Sequence, residues 1–160
     1  MDEKPKRKPN RLKNYDYSQD GAYFITVCTK DHEELLGNIA VEAVSFLRQL
    51  SDIGALVETE ISRLDQTYED VSIDSYVIMP NHVHMIITIC GGSRRQDAAP
   101  TSISRTINQW KRAVSMKVGF SPWQKSFHDH VIRNQEDYNR IAEYIENNPA
   151  RWVEDRYYIP

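Results

Sequence analysis

The hydrophobic and polar positions in the first half of the chain predict a strand followed by a helix. The segment AYFITVCT (22–29) is rich in β-branched and aromatic residues and follows an Asp-Gly pair, which is typical of a strand that begins after a turn. In residues 57–68, apolar side chains recur at helical spacing, which predicts an amphipathic helix. Between these segments, residues 31–50 mix polar and apolar positions, and we expect a short hairpin or loop that leads into a helix near 40–50.

The centre of the chain is its most apolar part. The segments VSIDSYVIM (71–79) and HVHMIITIC (82–90) predict two strands joined by a tight turn at Pro80-Asn81. Both segments are too apolar for a sheet that has one face in water. We therefore expect both strands to lie centrally in a sheet that is covered on both faces.

The last third of the chain predicts a helix, a strand and a second helix. Residues 102–118 carry an apolar stripe at helical spacing behind Ser102, which is a suitable N-cap. Residues 125–133 predict a strand. Residues 134–148 predict a helix that begins at an asparagine cap. This helix should end at Asn148 because Pro149 follows, and a proline disfavours helical backbone in the residue before it.

The order strand, helix, strand, strand, helix, strand, helix is that of the ferredoxin-like split βαβ fold with one additional C-terminal helix. The predicted class is therefore α+β, with an antiparallel sheet. We expect residues 14–160 to form a single domain and the basic, proline-containing residues 1–13 to form a flexible arm. Because this fold carries many unrelated activities, the function has to be inferred from particular residues.

The amino-acid composition mainly excludes classes of protein. Hydrophobic residues make up 40% of the chain and charged residues 27%, as in ordinary soluble proteins. No apolar run reaches the ~18 residues of a membrane span, and the N-terminus is too polar for a signal peptide, so we expect a cytoplasmic protein that does not bind membranes. The two cysteines lie far apart, which argues against a disulfide scaffold and against a cysteine zinc site.

The net charge of −3 hides an uneven distribution of charged residues. Residues 1–13 hold six Lys or Arg against two acids, and residues 91–125 hold seven against one. Residues 31–75, in contrast, hold eleven acids and two arginines. Such segments can simply form solvated faces of opposite sign. They are also typical of a protein that binds a polyanion on one side, because phosphate contacts depend on local rather than net charge.

Two histidines interrupt the apolar centre. Residues two apart in a strand point to the same face, so His82 and His84 project together while their neighbours pack on the other face. Two imidazoles in this arrangement are suitable metal ligands, although they can equally be ordinary polar residues with hydrogen-bond partners. The glutamate of a cupin-like site and the further Cys or His pair of a structural zinc site are both absent at the required spacing.

A second histidine pair, His128 and His130, has the same spacing in a more polar strand, beside Asp129. Spacing alone cannot rank the two pairs. The context favours the first pair, which opens a very apolar strand just after a turn. We interpret His130 as a structural or phosphate-contacting residue rather than as a metal ligand.

The last predicted helix contributes a tyrosine and an amide. The helical projection places Tyr138 within the apolar stripe, where we expect it to pack in the core. Tyr144 lies at the edge of the stripe, and Asn148 lies one turn further along on the same side. Both side chains therefore face one spot at the rim of the core. A tyrosine that merely keeps its hydroxyl in water would show the same pattern.

Together these residues suggest a chemistry. Two imidazoles and an amide oxygen form a mixed site with open positions, which suits Mg²⁺ or Mn²⁺ engaging a phosphate. A tyrosine beside such an ion could attack phosphorus, because the metal offsets the charge that builds on the non-bridging oxygens. The phosphotyrosine so formed would conserve the bond energy for a later joining step, and the basic segments would hold the nucleic acid.

The motif MPNHVHMII, followed about sixty residues later by YIENNP, resembles the HUH (histidine, hydrophobic residue, histidine) single-tyrosine transposases. The segments NYDYSQDGAYFITVCT and WQKSFHDHVIRNQEDYNRIAEYIENNP are similar to one branch of these enzymes, the REP-associated tyrosine transposases. The resemblance covers roughly residues 11–152. The combination of motifs is specific, whereas H-V-H alone is not.

The resemblance implies an HUH domain with the ferredoxin-like fold, a divalent metal ion (Mg²⁺ or Mn²⁺) held by His82, His84 and Asn148, and Tyr144 as the nucleophile. Related transposases carry glutamine at the position of Asn148. It also implies cleavage and rejoining of single-stranded DNA, typically hairpins of repetitive extragenic palindromes, through a 5′-phosphotyrosine and a free 3′-hydroxyl. Neither ATP nor an RNA cofactor is expected. Because the sequence ends at Pro160, we do not expect the longer C-terminal DNA-contacting tail of longer relatives.

Several basic residues are candidates for contacts with the DNA. They are Lys8, Arg11, Arg94, Arg95, Lys111, Arg112 and His130. A homodimer is compatible with the sequence, and residues 134–160 do not decide whether Tyr144 serves its own subunit or a partner.

Two other functions stay open on the sequence alone. A non-catalytic nucleic-acid-binding module could use the same sheet, although such a module would not need the four motif residues. A small replication-initiator or relaxase-like nickase would share the chemistry. The short chain, the single tyrosine candidate and the lack of a helicase part favour a transposase over this nickase.

Overall fold

The computed structural model describes residues 11–42, 45–91 and 101–160, and it describes side chains outside 41–46. Its elements in chain order are β1 (Gly21–Cys28), β2 (Gly37–Glu42), β3 (Ser45–Leu50), α1 (Asp52–Thr67), β4 (Val71–Met79), β5 (His82–Ile89), α2 (Ile103–Val118), β6 (His128–Ile132), α3 (Gln135–Asn147) and a final 3-10 segment (Pro149–Glu154). Most of the predicted basic arm therefore lies outside the described residues.

Four strands form one antiparallel sheet in the order β4-β5-β1-β6. The helix α1 precedes β4, α2 connects β5 to β6, and α3 follows as an additional helix, so the predicted α+β ferredoxin-like fold is confirmed. The expectation that both apolar strands lie centrally is right for β5 and wrong for β4, which pairs only with β5 in this sheet. Its edge position fits its composition, because polar residues at its start reach solvent.

The sheet has a different layer on each face. One face carries Val83, Met85 and Ile87 of β5 in a core with the apolar stripes of α1 and α2. The other face carries Ile86 in a second cluster with Ile141 and Ile145 of α3. Since side chains alternate along a strand, His82 and His84 share the α3 face with Ile86. The pattern of β5 thus directs both histidines towards the C-terminal helix.

A hairpin occupies the region in which a helix was predicted near 40–50. The strands β2 and β3 pair across residues 37–50, and α1 begins only after Ser51, whose hydroxyl accepts a hydrogen bond from Gly54 N at 3.0 Å. The hairpin requires glycine at its first position: Gly37 has a φ of 148°, and a Cβ there would lie 2.2 Å from Gln49 O. The hairpin prediction is therefore confirmed and the helix prediction is wrong.

The caps of the two later helices agree with the sequence. The hydroxyl of Ser102 accepts from Arg105 N at 3.3 Å, and the side chain of Asn134 accepts from Asp137 N at 2.8 Å. The helix α3 ends at Asn147, one residue earlier than predicted, and Asn148 keeps helical backbone (φ −59°, ψ −42°) although Pro149 follows it, so the expected effect of the proline is absent. None of the helices in the described ranges is long and apolar enough to cross a membrane.

Candidate active site

Two buried imidazoles stand side by side where β5 begins. The rings of His82 and His84 have centroids 4.5 Å apart, and their exposed fractions are 0% and 2%. Both follow the turn at Pro80-Asn81 and share one face of the strand, as the strand periodicity predicted, and this is the face covered by α3.

Asn81 fixes the ring of His82. The Asn81 amide nitrogen donates to Tyr157 O at 2.7 Å and to His32 O at 3.3 Å, so the amide oxygen must face His82 Nδ1, which lies 2.8 Å away. An oxygen at that distance accepts the Nδ1 proton, which leaves a lone pair on Nε2 of the neutral ring. The Nε2 atom is buried and has no hydrogen-bond partner among the described residues. The sequence indicated Asn81 only as a turn residue.

The second imidazole is held from the neighbouring strand. The hydroxyl of Thr26, which pairs with His84 in the β1–β5 register, lies 2.8 Å from His84 Nδ1. This contact fixes the orientation of the ring. The opposite nitrogen, Nε2, lies 3.4 Å from the Tyr144 hydroxyl.

The helix α3 brings its tyrosine and amide to the same place. The helical spacing puts Tyr144 and Asn148 on one side, with Tyr144 41% exposed and Asn148 2% exposed. The Asn148 amide nitrogen donates to Asp155 Oδ2 at 3.0 Å, and its oxygen is buried without a hydrogen-bond partner among the described residues. The predicted convergence of the helix residues on the histidine pair is thus present within one chain.

Asp155 is a site residue that the sequence did not indicate. Its side chain is 1% exposed, Oδ1 accepts from Tyr157 N at 2.8 Å, and Oδ2 lies 3.5 Å from the Tyr144 hydroxyl and 3.9 Å from His82 Nε2. One ligand atom from each of His82, His84 and Asp155 can be chosen so that all lie within 4.8 Å of one another. Asp155 follows the 3-10 segment, so no helical period relates it to Tyr144.

The unpaired atoms of this cluster fit a divalent cation. His82 Nε2 and Asn148 Oδ1 are buried polar atoms without hydrogen-bond partners in the described part of the chain, which is costly unless a ligand contacts them. Two imidazoles, a carboxylate and an amide oxygen are donors of the kind that bind first-row or alkaline-earth divalent ions. The residues present therefore fit the metal that the sequence suggested.

Burial sets the protonation of the site. It lowers the pKa of His82 to about 4 against the partly opposing effect of Asp155. Burial also lowers the pKa of His84, with the neighbouring His82 acting in the same direction. Both rings are therefore neutral at pH 7, which is the form that binds metals. Burial, assisted by Asp155, raises the pKa of Tyr144, so its hydroxyl is protonated at neutral pH.

The other tyrosine of α3 has a packing role. The ring of Tyr138 packs against the second core cluster, and its hydroxyl donates to Asp74 Oδ2 at 3.1 Å. Tyr138 and Tyr144 thus make separate contacts although both lie on α3, and the predicted packing of Tyr138 is confirmed.

Two of the predicted DNA contacts that the structure describes, Lys111 and Arg112, lie away from the site. Lys111 is 9% exposed, and its ammonium donates to Gln124 O at 2.6 Å and Lys125 O at 3.4 Å, so the prediction that Lys111 presents its charge to DNA is wrong. Arg112 is exposed but lies on α2, in the layer opposite the histidines. Lys8, Arg94 and Arg95 lie outside the described residues.

Arg11, at the end of the predicted arm, is engaged within the domain. Its Nε lies 3.6 Å from Asp129 Oδ1, its guanidinium lies over the Phe127 ring at 4.2 Å, and it also donates to Ser104. His130 is exposed, and its Nε2 lies 2.8 Å from Asp137 Oδ2. Neither residue touches the histidine–tyrosine cluster in these contacts.

Comparisons with known proteins agree with the motifs. The chain is 33% identical to an uncharacterized protein of Haemophilus influenzae, over 96% of this chain and 93% of that protein. It is 32% identical over 83 residues to the REP-associated tyrosine transposase of Escherichia coli K12, which covers 51% of this chain and 47% of the transposase. No protein-family model matches the chain.

A solved structure shares the fold. It is described as a REP-associated tyrosine transposase bound to a REP hairpin, and it superimposes with a TM-score of 0.64 at 22% identity, over 89% of this chain and 74% of that one. The resemblance to these transposases that the sequence motifs indicated is therefore confirmed.

Proposed function

Since the chain resembles the REP-associated tyrosine transposases in sequence and has the fold of one, we propose that it cleaves and rejoins single-stranded DNA with Tyr144 as the nucleophile. One observation carries this proposal. The hydroxyl of Tyr144, on a partly exposed side chain, lies 3.4 Å from Nε2 of a buried imidazole and 3.5 Å from a buried carboxylate of the same chain. A tyrosine that only packs needs no such partners.

A divalent ion, Mg²⁺ or Mn²⁺, is part of the proposal. His82, His84 and Asp155 would hold it, because one ligand atom of each lies within 4.8 Å of the others. Asn148 would join them through its buried amide oxygen, which has no hydrogen-bond partner among the described residues. When bound, such an ion offsets negative charge on the non-bridging oxygens of a phosphate. Asp155 joins the ligand set that the sequence suggested, and its negative charge favours a divalent cation between two neutral rings.

The proposed cleavage step balances in atoms and charge. The Tyr144 oxygen forms a bond to phosphorus, and the bond from phosphorus to the 3′-oxygen breaks, which gives a 5′-phosphotyrosine and a 3′-hydroxyl. The phenol proton is released to solvent water, and the leaving 3′-oxygen takes a proton from water, so the step neither gains nor loses a proton. Rejoining is the reverse attack by a 3′-hydroxyl, so no external energy source is consumed.

The proposed substrate follows from the solved structure that shares the fold. That structure contains a REP hairpin, and we propose that DNA hairpins with single-stranded flanks are bound here as well. The short distances between Tyr144 and the histidine pair within one chain support cleavage in cis.

Replacement of the nucleophile tests the proposal. With Mn²⁺ and a labelled DNA hairpin with single-stranded flanks, the wild type should form a covalent adduct that survives denaturing electrophoresis. We expect Tyr144→Phe to abolish the adduct, because the attacking oxygen is gone. Tyr138→Phe should retain it, because that hydroxyl donates to Asp74 and not to the histidine cluster. An adduct that persists in Tyr144→Phe would refute the assignment of the nucleophile.

Removal of the metal ion by a chelator distinguishes a nuclease from a protein that only binds DNA. EDTA should stop cleavage of the hairpin by the wild type while binding persists. A protein that binds the hairpin and never cleaves it with Mg²⁺ or Mn²⁺ would favour the non-catalytic alternative.

A further inference from the structure

The second histidine pair lies on the same face of the sheet as the first. In the strand registers, Thr26 of β1 faces His84 on one side and His128 on the other, while Phe24 faces Ile86 and His130. Two strand spacings, roughly 10 Å, separate the two histidine pairs, which is too far for shared metal ligands. His128 and His130, which the proposed chemistry does not use, therefore lie beside the site. With Thr26 and Phe24 they form a surface that we call the floor.

A trough lies between this floor and α3. It has a volume of about 510 Å³ and is bordered by the floor residues, by Arg140 and Tyr144 of α3, and by Arg156. The floor ends at His84, whose Nε2 faces the Tyr144 hydroxyl. The trough thus leads directly to the proposed nucleophile, and its volume falls within the range of ordinary ligand pockets.

The charge of the trough favours an anion. Arg140, Arg156 and two exposed histidines border it, while the carboxylate of Asp129 lies 3.6 Å from Arg11 Nε. Asp137 accepts a hydrogen bond from Arg140 and lies beside His130 but does not border the trough. A second cavity of about 550 Å³ shares Arg140, Tyr144 and Arg156 with the trough. Its other charged residues are Arg151 and the three acids Glu143, Glu154 and Asp155, which make it less suitable for phosphates.

The trough also offers an aromatic surface. The half-buried ring of Phe24 lies 5.2 Å from the His84 ring and 6.2 Å, edge-on, from the Tyr144 ring. A cationic groove with an aromatic ring on its floor is typical of proteins that bind single-stranded nucleic acids, because every base can stack on the ring.

We propose that this trough binds the single-stranded nucleotides next to the phosphate that Tyr144 attacks. Arg140 and Arg156 contact phosphates, and Phe24 stacks on a base. The position of the attacked phosphate rests on the proposed function, but the binding does not require cleavage. Neither Arg140 nor Arg156 was among the DNA contacts that the sequence predicted.

Binding measured without metal tests the trough separately from the chemistry. We would titrate the protein, in EDTA, into a fluorescent DNA hairpin with single-stranded extensions and into the same hairpin without extensions. Arg156→Ala should weaken binding of the extended hairpin and reduce its logarithmic salt dependence by about one. Phe24→Leu should weaken the same binding by about fivefold to a hundredfold. Neither variant should change binding of the hairpin without extensions.

Controls with equal loss of charge make the result specific. Arg63→Ala, on α1 in the opposite layer, should bind both hairpins like the wild type. Arg151→Ala, in the second cavity, should have a smaller effect than Arg156→Ala. Thermal denaturation and Mn²⁺ affinity of Phe24→Leu would verify that the fold and the neighbouring His84 are intact.

The outcomes distinguish the two proposals. Wild-type binding by intact Arg156→Ala and Phe24→Leu would overturn the trough, as would equal weakening of both hairpins, and either result could occur while Tyr144 still forms the adduct. Conversely, loss of binding in these variants would support the trough even if the wild type forms no adduct. The latter result would refute only the proposed cleavage.

Discussion

At the residue scale, the hydrogen bonds that orient the proposed metal ligands determine what the site can bind. Asn81 holds the His82 proton on Nδ1 and leaves Nε2 unprotonated, and Thr26 orients His84 so that its Nε2 faces the Tyr144 hydroxyl. Asp155 is likewise fixed, by the Asn148 amide and by Tyr157 N. Such outer contacts commonly affect metal affinity by 10–100-fold.

Asn81→Ala is expected to lower Mn²⁺ affinity by about 10–100-fold, because the Nδ1 proton of His82 loses its acceptor and the tautomer is no longer fixed. Isothermal titration calorimetry or Mn²⁺ EPR would measure this. Asn139→Ala, at an exposed position of α3, is the control and should bind Mn²⁺ normally. Unchanged affinity in a folded Asn81→Ala would contradict the role of Asn81.

Asp155→Asn keeps the size of the side chain and removes its charge. We expect a larger loss of Mn²⁺ affinity than for Asn81→Ala, because a direct ligand loses its negative charge. The same titration measures it. Asp74→Asn, which removes a carboxylate from the far end of the same layer, should have no effect on the metal. If Asp155→Asn binds Mn²⁺ like the wild type, the ligand set is limited to the histidines and Asn148.

At the element scale, α3 carries the nucleophile while its docking depends on few apolar contacts. Ile141 and Ile145 are its two buried residues, and the second core cluster that they join is smaller than the one beneath α1 and α2. Small changes in the stability of α3 should therefore affect the order of the site more than the rest of the fold.

Asn134→Ala is expected to destabilise α3 by about 1 kcal/mol, since the cap accepts from Asp137 N. Hydrogen exchange should become faster over residues 135–147. Ser102→Ala removes the equivalent cap of α2 and should speed exchange in that helix instead. Faster exchange of α2 rather than α3 in Asn134→Ala would show that the helices are not independent.

The sequence predicted the local elements better than the contacts between them. Capping residues and apolar spacing gave α2 and α3 within a residue or two, because these signals are local. The edge position of β4 and the burial of Lys111 depend on neighbours distant in the chain, which a periodic pattern does not contain. The two histidines were predictable from one strand. Asp155 was not, because a non-helical turn places it.

At the scale of the whole molecule, the site joins the start of β5 to the end of the chain across the sheet. The buried neutral histidines make the stability of the metal-free protein depend on pH. Their pKa values are lowered on folding, so the unfolded chain binds more protons than the folded one between pH 6.5 and about 4. Stability must therefore fall as the pH decreases through this range.

The contribution of His82 to this loss should be on the order of 2 kcal/mol by pH 5, and His84 should add to it. Urea denaturation in EDTA at several pH values would measure the free energy of unfolding. His82→Gln should show a flatter dependence between pH 4 and 6.5 than the wild type. His128→Gln, at an exposed position, should keep the wild-type dependence. Equal slopes in all three proteins would contradict this assignment.

The position of Asp155 has a consequence for the synthesis of the protein. It follows His84 by about seventy residues, and Tyr157, whose carbonyl holds Asn81, comes later still. A nascent chain on the ribosome therefore contains both histidines and the tyrosine before it contains the carboxylate. Chains that end before Asp155 would lack one proposed ligand of the metal ion and also the carbonyl group that holds Asn81.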